Sequence, residues 1–362
     1  MAKREKILEI RGLSISFATG EGILHAVRGV DLDVHRGETV AIVGESGSGK
    51  SVTARAAMGI LAPNSHVDGG TMRFWYEEGT GEARRRREVD LLRMPERERR
   101  SAVNGRRIAM VFQDPMTSLD PTMTIGEQLT EGMRWHNRLP KAQARRKAVQ
   151  LLELVGIPEG ERRLKQYPHQ FSGGQRQRIV IAMALACDPE LLICDEPTTA
   201  LDVTIQARIL ELIARLQEKL NFSVIYITHD LGVVAKVADF VHVMYAGKIV
   251  ESGTAEEIFY DPRHPYTWGL LSAIPDLHEK GERLYTIPGT PPNLLHEIPG
   301  DAFAPRNCYA LKIDYRREPP MFRLSDTHSA ATWLLDERAP YVELPAALRA
   351  RIARMKQEGN VP

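Results

Sequence analysis

Residues 39–53 read TVAIVGESGSGKSVT, and this stretch decides the fold. Four apolar residues, Val40 to Val43, suit a strand buried on both faces. They run into glycines and then a helical pattern, so G-x-x-x-x-G-K-S stands between a strand and a helix, the context a P-loop requires. Gly44, Gly47 and Gly49 let the backbone curl so that its N–H groups converge on phosphate oxygens. Glu45, Ser46, Ser48 and Val52 complete the cradle. Lys50 is placed to reach the β- and γ-phosphates, and the Ser51 hydroxyl to ligate Mg²⁺. The expectation is an α/β P-loop nucleoside triphosphatase.

Composition agrees with a globular chain of about two domains. The 362 residues are 43% hydrophobic and 26% charged, and 48 basic against 47 acidic residues leave a net charge of +1, so no global basic field points to nucleic acid. The N-terminal MAKREKILEI lacks the apolar run of a signal peptide. No stretch reaches the ~18 apolar residues of a membrane span. Three cysteines without paired spacing, Cys187, Cys194 and Cys308, fit a reducing cytosol.

A second chemical element is LLICDEPTTALD, residues 191–202. Its apolar run suits another buried strand, ending where α/β sheets bind ligands. Asp195 is expected in the Mg²⁺ shell, leaving Glu196 to polarise an attacking water. A third is FSGGQRQR, residues 171–178, where two glycines open a helix whose free N–H groups suit an anion.

P-loop, SGGQ and an apolar strand ending in Asp-Glu, in this order, resemble the ATP-binding cassette family of transport ATPases. The motifs are GESGSGKS (44–51), Gln113 in VFQDP, FSGGQ (171–175), LLICDE (191–196), TALD (199–202) and ITHD (227–230). The resemblance implies a RecA-like core with an antiparallel β subdomain and an inserted helical subdomain. It also implies two cassettes packed head to tail, with Ser172, Gly173, Gly174 and Gln175 of one covering the nucleotide of the other. By the same resemblance Phe17 stacks on adenine, against the alternative of a strand-core Phe. Gln113 touches the metal and the water, His229 contacts the γ-phosphate, and Asp202 crosses the dimer interface. Phe171 replaces the usual Leu.

Residues 7–43 alternate apolar and polar positions and read as the antiparallel sheet. The stretch 84–107 carries ten Arg against four acids; interleaved acids and the lack of aromatics within it favour a solvated helical face over a nucleic-acid patch. The helical subdomain is placed at about 115–186, and 203–219 reads as a core helix.

After about residue 255 the texture changes, and seven prolines between 262 and 299 argue against regular helix. DPRHPYTWGLLSAIP and IPGTPPNLLHEIPGDAFAPRN resemble the C-terminal extension of peptide-importer ATPases. The domains expected are 1–258 for the cassette, 259–340 for the extension and 341–362 for a polar helical tail. The resemblance implies an ATPase that powers oligopeptide import, with a related dipeptide- or nickel-type importer as the alternative. A soluble cassette acting on nucleic acid would carry two cassettes or a long inserted arm, and Glu196 and His229 argue against a non-hydrolysing regulatory cassette. Implied partners are a homologous second ATPase, two transmembrane permeases and an external peptide-binding protein, with no nucleic acid. The implied location is the cytoplasmic face of the plasma membrane.

Many relatives carry four C-terminal cysteines in an iron–sulfur pattern. Laid on this chain, those positions read Asp301, Asn307, Asp314 and Thr332, so no cluster is expected. These residues are expected to hydrogen-bond locally, and Cys308 to be a small, partly buried residue.

Overall fold

The computed structural model describes residues 5–79, 85–113, 118–197, 203–274 and 286–358. Its strands are β1 (Lys6–Thr19), β2 (Gly22–His35), β3 (Thr39–Val43), β4 (Ser65–Glu78), β5 (Arg85–Asp90), β6 (Ile108–Val111), β7 (Leu191–Asp195), β8 (Ser223–Thr228), β9 (Phe240–Tyr245), β10 (Lys248–Thr254), β11 (Phe322–Arg323) and β12 (Ser329–Ala330). An antiparallel sheet has the order β2-β1-β4-β5, and the larger sheet the order β11-β12-β10-β9-β3-β8-β7-β6.

The larger sheet is parallel from β6 to β9, and its all-apolar strands are explained by cover on both faces. Val40 and Ile42 point into a core shared with the antiparallel sheet, whereas Ala41 and Val43 point into a core shared with the helices. β7 and β8 divide in the same way: Leu191, Ile193, Ile225 and Ile227 on one side, Leu192, Cys194, Val224 and Tyr226 on the other. This period of two seats the carboxyl ends of β3, β7 and β8 side by side, and the loops that leave them carry the site.

Helices Ile125–His136, Lys141–Leu154 and Gly173–Ala184 pack together beside the sheet. Thr124 and Glu127 close a capping box on the first of them. The helix Val203–Leu220 covers the sheet, with Ile209, Leu210, Leu212, Ile213 and Leu216 buried at helical spacing.

Four expectations are corrected. Residues 85–90 form a strand rather than a helical face, because β4 supplies complementary partners. Arg87 pairs with Glu78 at 2.7 Å and Arg86 lies 5.5 Å from the Trp75 ring centroid. The helical, solvated reading holds for Glu96–Ala102, which buries no residue. The Pro-rich segment does contain a regular helix, Pro265–Ser272, since Pro265 sits in its first turn, where an N–H is not needed. The final helix, Ala346–Glu358, is not wholly polar: Leu348, Ile352 and Met355 are buried, and Arg351 donates to the carbonyls of Leu271 and Ile274. Cys308 is exposed, because the turn that buries Asn307 faces its neighbour outward.

Asp301, Asn307, Asp314 and Thr332 are each buried and each accept a nearby backbone N–H, that of the residue two further on for Asp301, Asn307 and Thr332: Phe303, Tyr309 and Leu334. Asp314 instead reaches back to Leu311. Each of the four closes its own turn.

Candidate functional site

β3 delivers the chain into a loop that two glycines make possible. A Cβ on Gly44 would overlap the Met244 carbonyl oxygen, and one on Gly49 would sit 2.5 Å from the Ala26 carbonyl oxygen. Gly49 is the N-cap of the helix Lys50–Met58, at φ 101°, and offers no side chain to its N–H groups. That helix N-terminus therefore faces the loop with donors to spare. The Lys50 ammonium lies inside the curl, 2.7 Å from the Gly44 carbonyl, 2.8 Å from that of Glu45 and 3.3 Å from the Ser48 hydroxyl. Burial pushes its pKa down, against the pull of Glu196, Asp195 and Glu45. A cation so placed seeks an anion.

Beside it, the Ser51 hydroxyl donates to Asp195 Oδ1 at 2.6 Å. Burial pushes the Asp195 carboxyl up, while Ser51 and Arg55, 3.7 Å away, draw it back down. A hydroxyl and a carboxylate in contact form an oxygen-only donor set that fits Mg²⁺.

Glu196 follows immediately at φ 48°, a left-handed conformation that carries strain for a residue with a side chain. Its N–H remains bonded to the Ile227 carbonyl at the end of β8. The turn aims its carboxylate between two partners: Gln113 Nε2 donates to Oε2 at 2.9 Å, and His229 Nδ1 lies 3.3 Å from Oε1. Three residues from the ends of three strands thus meet at one carboxylate.

Phe17, Leu24, Ala26, Ser46 to Val52, Gln113, Glu196 and His229 line one open cleft of about 560 Å³. Gly44, Glu45 and Asp195 are not among its lining residues. Ser172 to Gln175 do not line it. Ser172 instead caps the helix Gly173–Ala184, accepting from the Gln175 N–H, while the Gln175 side chain accepts from the Ser172 N–H. Gly173 looks into open space, with nothing within 4 Å of a built Cβ. This second helix N-terminus lies outside the cleft that holds the first. The buried Gln177 ties it to the strand end by donating to the Pro197 carbonyl at 2.6 Å. Asp202 lies outside the described residues.

Sequence reasoning missed the residues that hold Glu45. Its carboxylate is gripped by Arg306, and its N–H donates to the Tyr266 hydroxyl at 2.8 Å. Both partners lie within motif stretches of the extension, but nothing local marks them as neighbours of the P-loop.

The model of the ABC transporter family matches residues 27–199, and that of the oligopeptide/dipeptide transporter C-terminal region matches residues 250–313. The chain is 55% identical to the oligopeptide transport ATP-binding protein OppD of Bacillus subtilis, across 100% of this chain and 98% of the relative. It is 52% identical to the dipeptide transport ATP-binding protein DppD of Lactococcus lactis, across 98% of each. Among solved structures, a dimeric ATP-binding cassette in a post-hydrolysis state with ADP and Pi aligns at TM-score 0.57 and 25% identity, over 68% of this chain and 98% of that one. CbiO1 of Clostridium perfringens, part of an ABC transporter complex, aligns at TM-score 0.57 and 29% identity, over 71% and 92%.

Proposed function

This chain belongs to the ABC transporter family, in its oligopeptide/dipeptide branch, and we propose that it is the ATP-hydrolysing subunit that powers import of oligopeptides through a pair of membrane permeases. The observation that carries the chemistry is the meeting of Gln113, Glu196 and His229 in the cleft that contains the P-loop.

In this reading, the N–H groups around Gly47 to Ser51 and the Lys50 ammonium bind the phosphates, and Phe17 stacks on the base. Ser51, Asp195 and Gln113 are the residues that would hold Mg²⁺, which neutralises charge on the phosphate oxygens when bound. Glu196 accepts a proton from the attacking water, with Gln113 orienting that water and His229 contacting the γ-phosphate. The strained backbone of Glu196 keeps its carboxylate aimed before substrate arrives.

Ser172 to Gln175 complete the site of a partner cassette, and Asp202 belongs to the same interface. The open space at Gly173 supports this, since a phosphate approaching there meets free N–H groups and no side chain. A homologous second ATPase is the proposed partner, alongside the two permeases and an external peptide-binding protein. The cassette spans 1–258, the peptide-importer extension 259–340 and the tail 341–362. None of the helices in the described residues is long and apolar enough to cross a membrane; the subunit docks on the permeases from the cytoplasmic side.

The similarity to OppD favours oligopeptides, and that to DppD keeps a dipeptide importer as the second reading. Detergent purification of the chain with its genomic-neighbour permeases tests the proposal. A stable complex whose ATP hydrolysis rises with peptide-loaded binding protein is expected. A chain that hydrolyses ATP but never associates with permeases would overturn it.

A further inference from the structure

We propose that Arg306 is a positioning residue for the nucleotide site, making the C-terminal extension a structural part of the P-loop so that nucleotide affinity depends on the Arg306–Glu45 pair. This rests on the nucleotide-binding reading above. Glu45 has three polar groups, and each is held. Its carboxylate receives Arg306 Nη1 at 2.6 Å and Nη2 at 3.0 Å, its N–H donates to the Tyr266 hydroxyl, and its carbonyl accepts from Lys50 at 2.8 Å. Two of the three partners come from the extension, 261 and 221 residues along the chain.

The guanidinium is itself fixed. Arg306 Nε donates to the Pro288 carbonyl at 2.8 Å, Nη1 lies 3.2 Å from the Tyr245 hydroxyl, and the group sits over the Tyr245 and Phe303 rings. Only 5% of its side chain is exposed. Burial opposes its charge, yet the bonds to Glu45 and Tyr245 hold its pKa above the ordinary value. Phe303 packs edge-on against Tyr245 and Tyr266 at 5.2 and 5.3 Å, so the pair is set in an aromatic frame. A bidentate pair in such a frame is directional as well as strong.

A staple remote from the site would contribute to folding alone. This one acts on a loop whose other turns are glycine: Gly44, Gly47 and Gly49 all adopt positive φ and supply no stiffness. Ser48 is tied to Gly247 through its carbonyl, whereas Glu45 is the loop residue whose side chain the extension grips, and its carbonyl is one of the oxygens that hold the Lys50 ammonium. Cutting the pair frees the loop, and a nucleotide must then order it on binding, which weakens affinity. By reciprocity, bound nucleotide tightens the docking of the extension.

The test is titration of the full-length chain with a fluorescent ATP analogue and Mg²⁺. Variants are Arg306→Gln, Arg306→Lys, Glu45→Gln and the Arg306→Gln/Glu45→Gln double. Each Gln variant is expected to bind about tenfold more weakly, with the double no weaker than either single and Arg306→Lys intermediate. In the assembled transporter, Arg306→Gln should raise KM, with kcat falling by less than about threefold. Nucleotide should also slow proteolysis of the extension in the wild type more than in Arg306→Gln. Wild-type affinity in a folded Arg306→Gln, or additive losses in the double, would overturn the proposal. If Arg306→Gln does not fold, Glu45→Gln, which exchanges one carboxylate oxygen for an NH2 group, carries the test alone, and wild-type affinity there overturns it. A wild-type chain that binds no nucleotide would instead refute the functional reading beneath it.

Discussion

Gly173→Leu separates fold from function with opposite signs. Gly173 is the first residue of the helix Gly173–Ala184, its φ is not positive, and a Cβ there meets nothing within 4 Å. The capping box between Ser172 and Gln175 uses no atom the change removes. Replacing Gly by a good helix former therefore stabilises the isolated chain, by up to ~0.8 kcal/mol. For a chain of this size that is a rise in Tm of about 1–3 °C. The isobutyl group, however, occupies the space in front of the helix N-terminus, where the phosphate of the proposed partner cassette would sit. Losing two charge-assisted hydrogen bonds there, at ~1.5–3 kcal/mol each, cuts turnover of the assembled pair by about a hundredfold or more. Scanning calorimetry of the chain gives the first sign. Crosslinking across the ATPase interface with and without ATP, and steady-state hydrolysis, give the second. A stable Gly173→Leu pair that closes and turns over normally would mean that the glycine serves local packing only. Gly174 is the less clean site, because its Cβ would press on Ile205 at 3.2 Å.

Lys50→Ala should weaken nucleotide binding itself by at least about tenfold, read by equilibrium titration, since it removes the buried ammonium that meets the phosphates. Asp301→Asn should stabilise the protein above neutral pH. Burial lifts the Asp301 carboxyl to about 6, so the folded state holds a proton that the unfolded chain has released. Stability then falls as pH rises between about 4 and 6 and levels off above. The amide keeps an acceptor for the Phe303 N–H, removes that slope, and adds up to about 3 kcal/mol at pH 8; urea unfolding at pH 5 and pH 8 checks it, and a loss at pH 8 would refute it. The protein purified anaerobically should carry no stoichiometric iron by elemental analysis, because the four turn-forming positions offer no thiolate.

The readable parts of this chain were those whose physics is local. The P-loop, the apolar runs of β3, β7 and β8, and the helix Val203–Leu220 each carry their period and punctuation within one continuous segment. The Asp-Glu pair and His229 were legible because they end such runs. What was hidden depends on distant partners. The Arg-rich run became β5 because Glu78 and Trp75 on β4 receive it. The polar-looking final helix carries its small apolar face on Leu348, Ile352 and Met355, too sparse to read without the surface it meets. The left-handed backbone of Glu196 has no signature in its residue type, and Arg306 meets Glu45 across nearly the whole chain. Cys308 next to a buried Asn307 shows the limit of register arguments in turns: one step along the chain reverses which side chain faces in.

Uptake by reconstituted vesicles shows whether hydrolysis at Glu196 drives peptide import. The assembled transporter, with ATP on the side of this subunit and labelled oligopeptide delivered by its binding protein on the other, is compared with its Glu196→Gln counterpart. Glu196→Gln should bind ATP with near wild-type affinity while hydrolysis and uptake both fall by about a hundredfold or more, in the range of a lost general base. Uptake that continues at the wild-type rate in Glu196→Gln vesicles would mean that import does not depend on hydrolysis at Glu196.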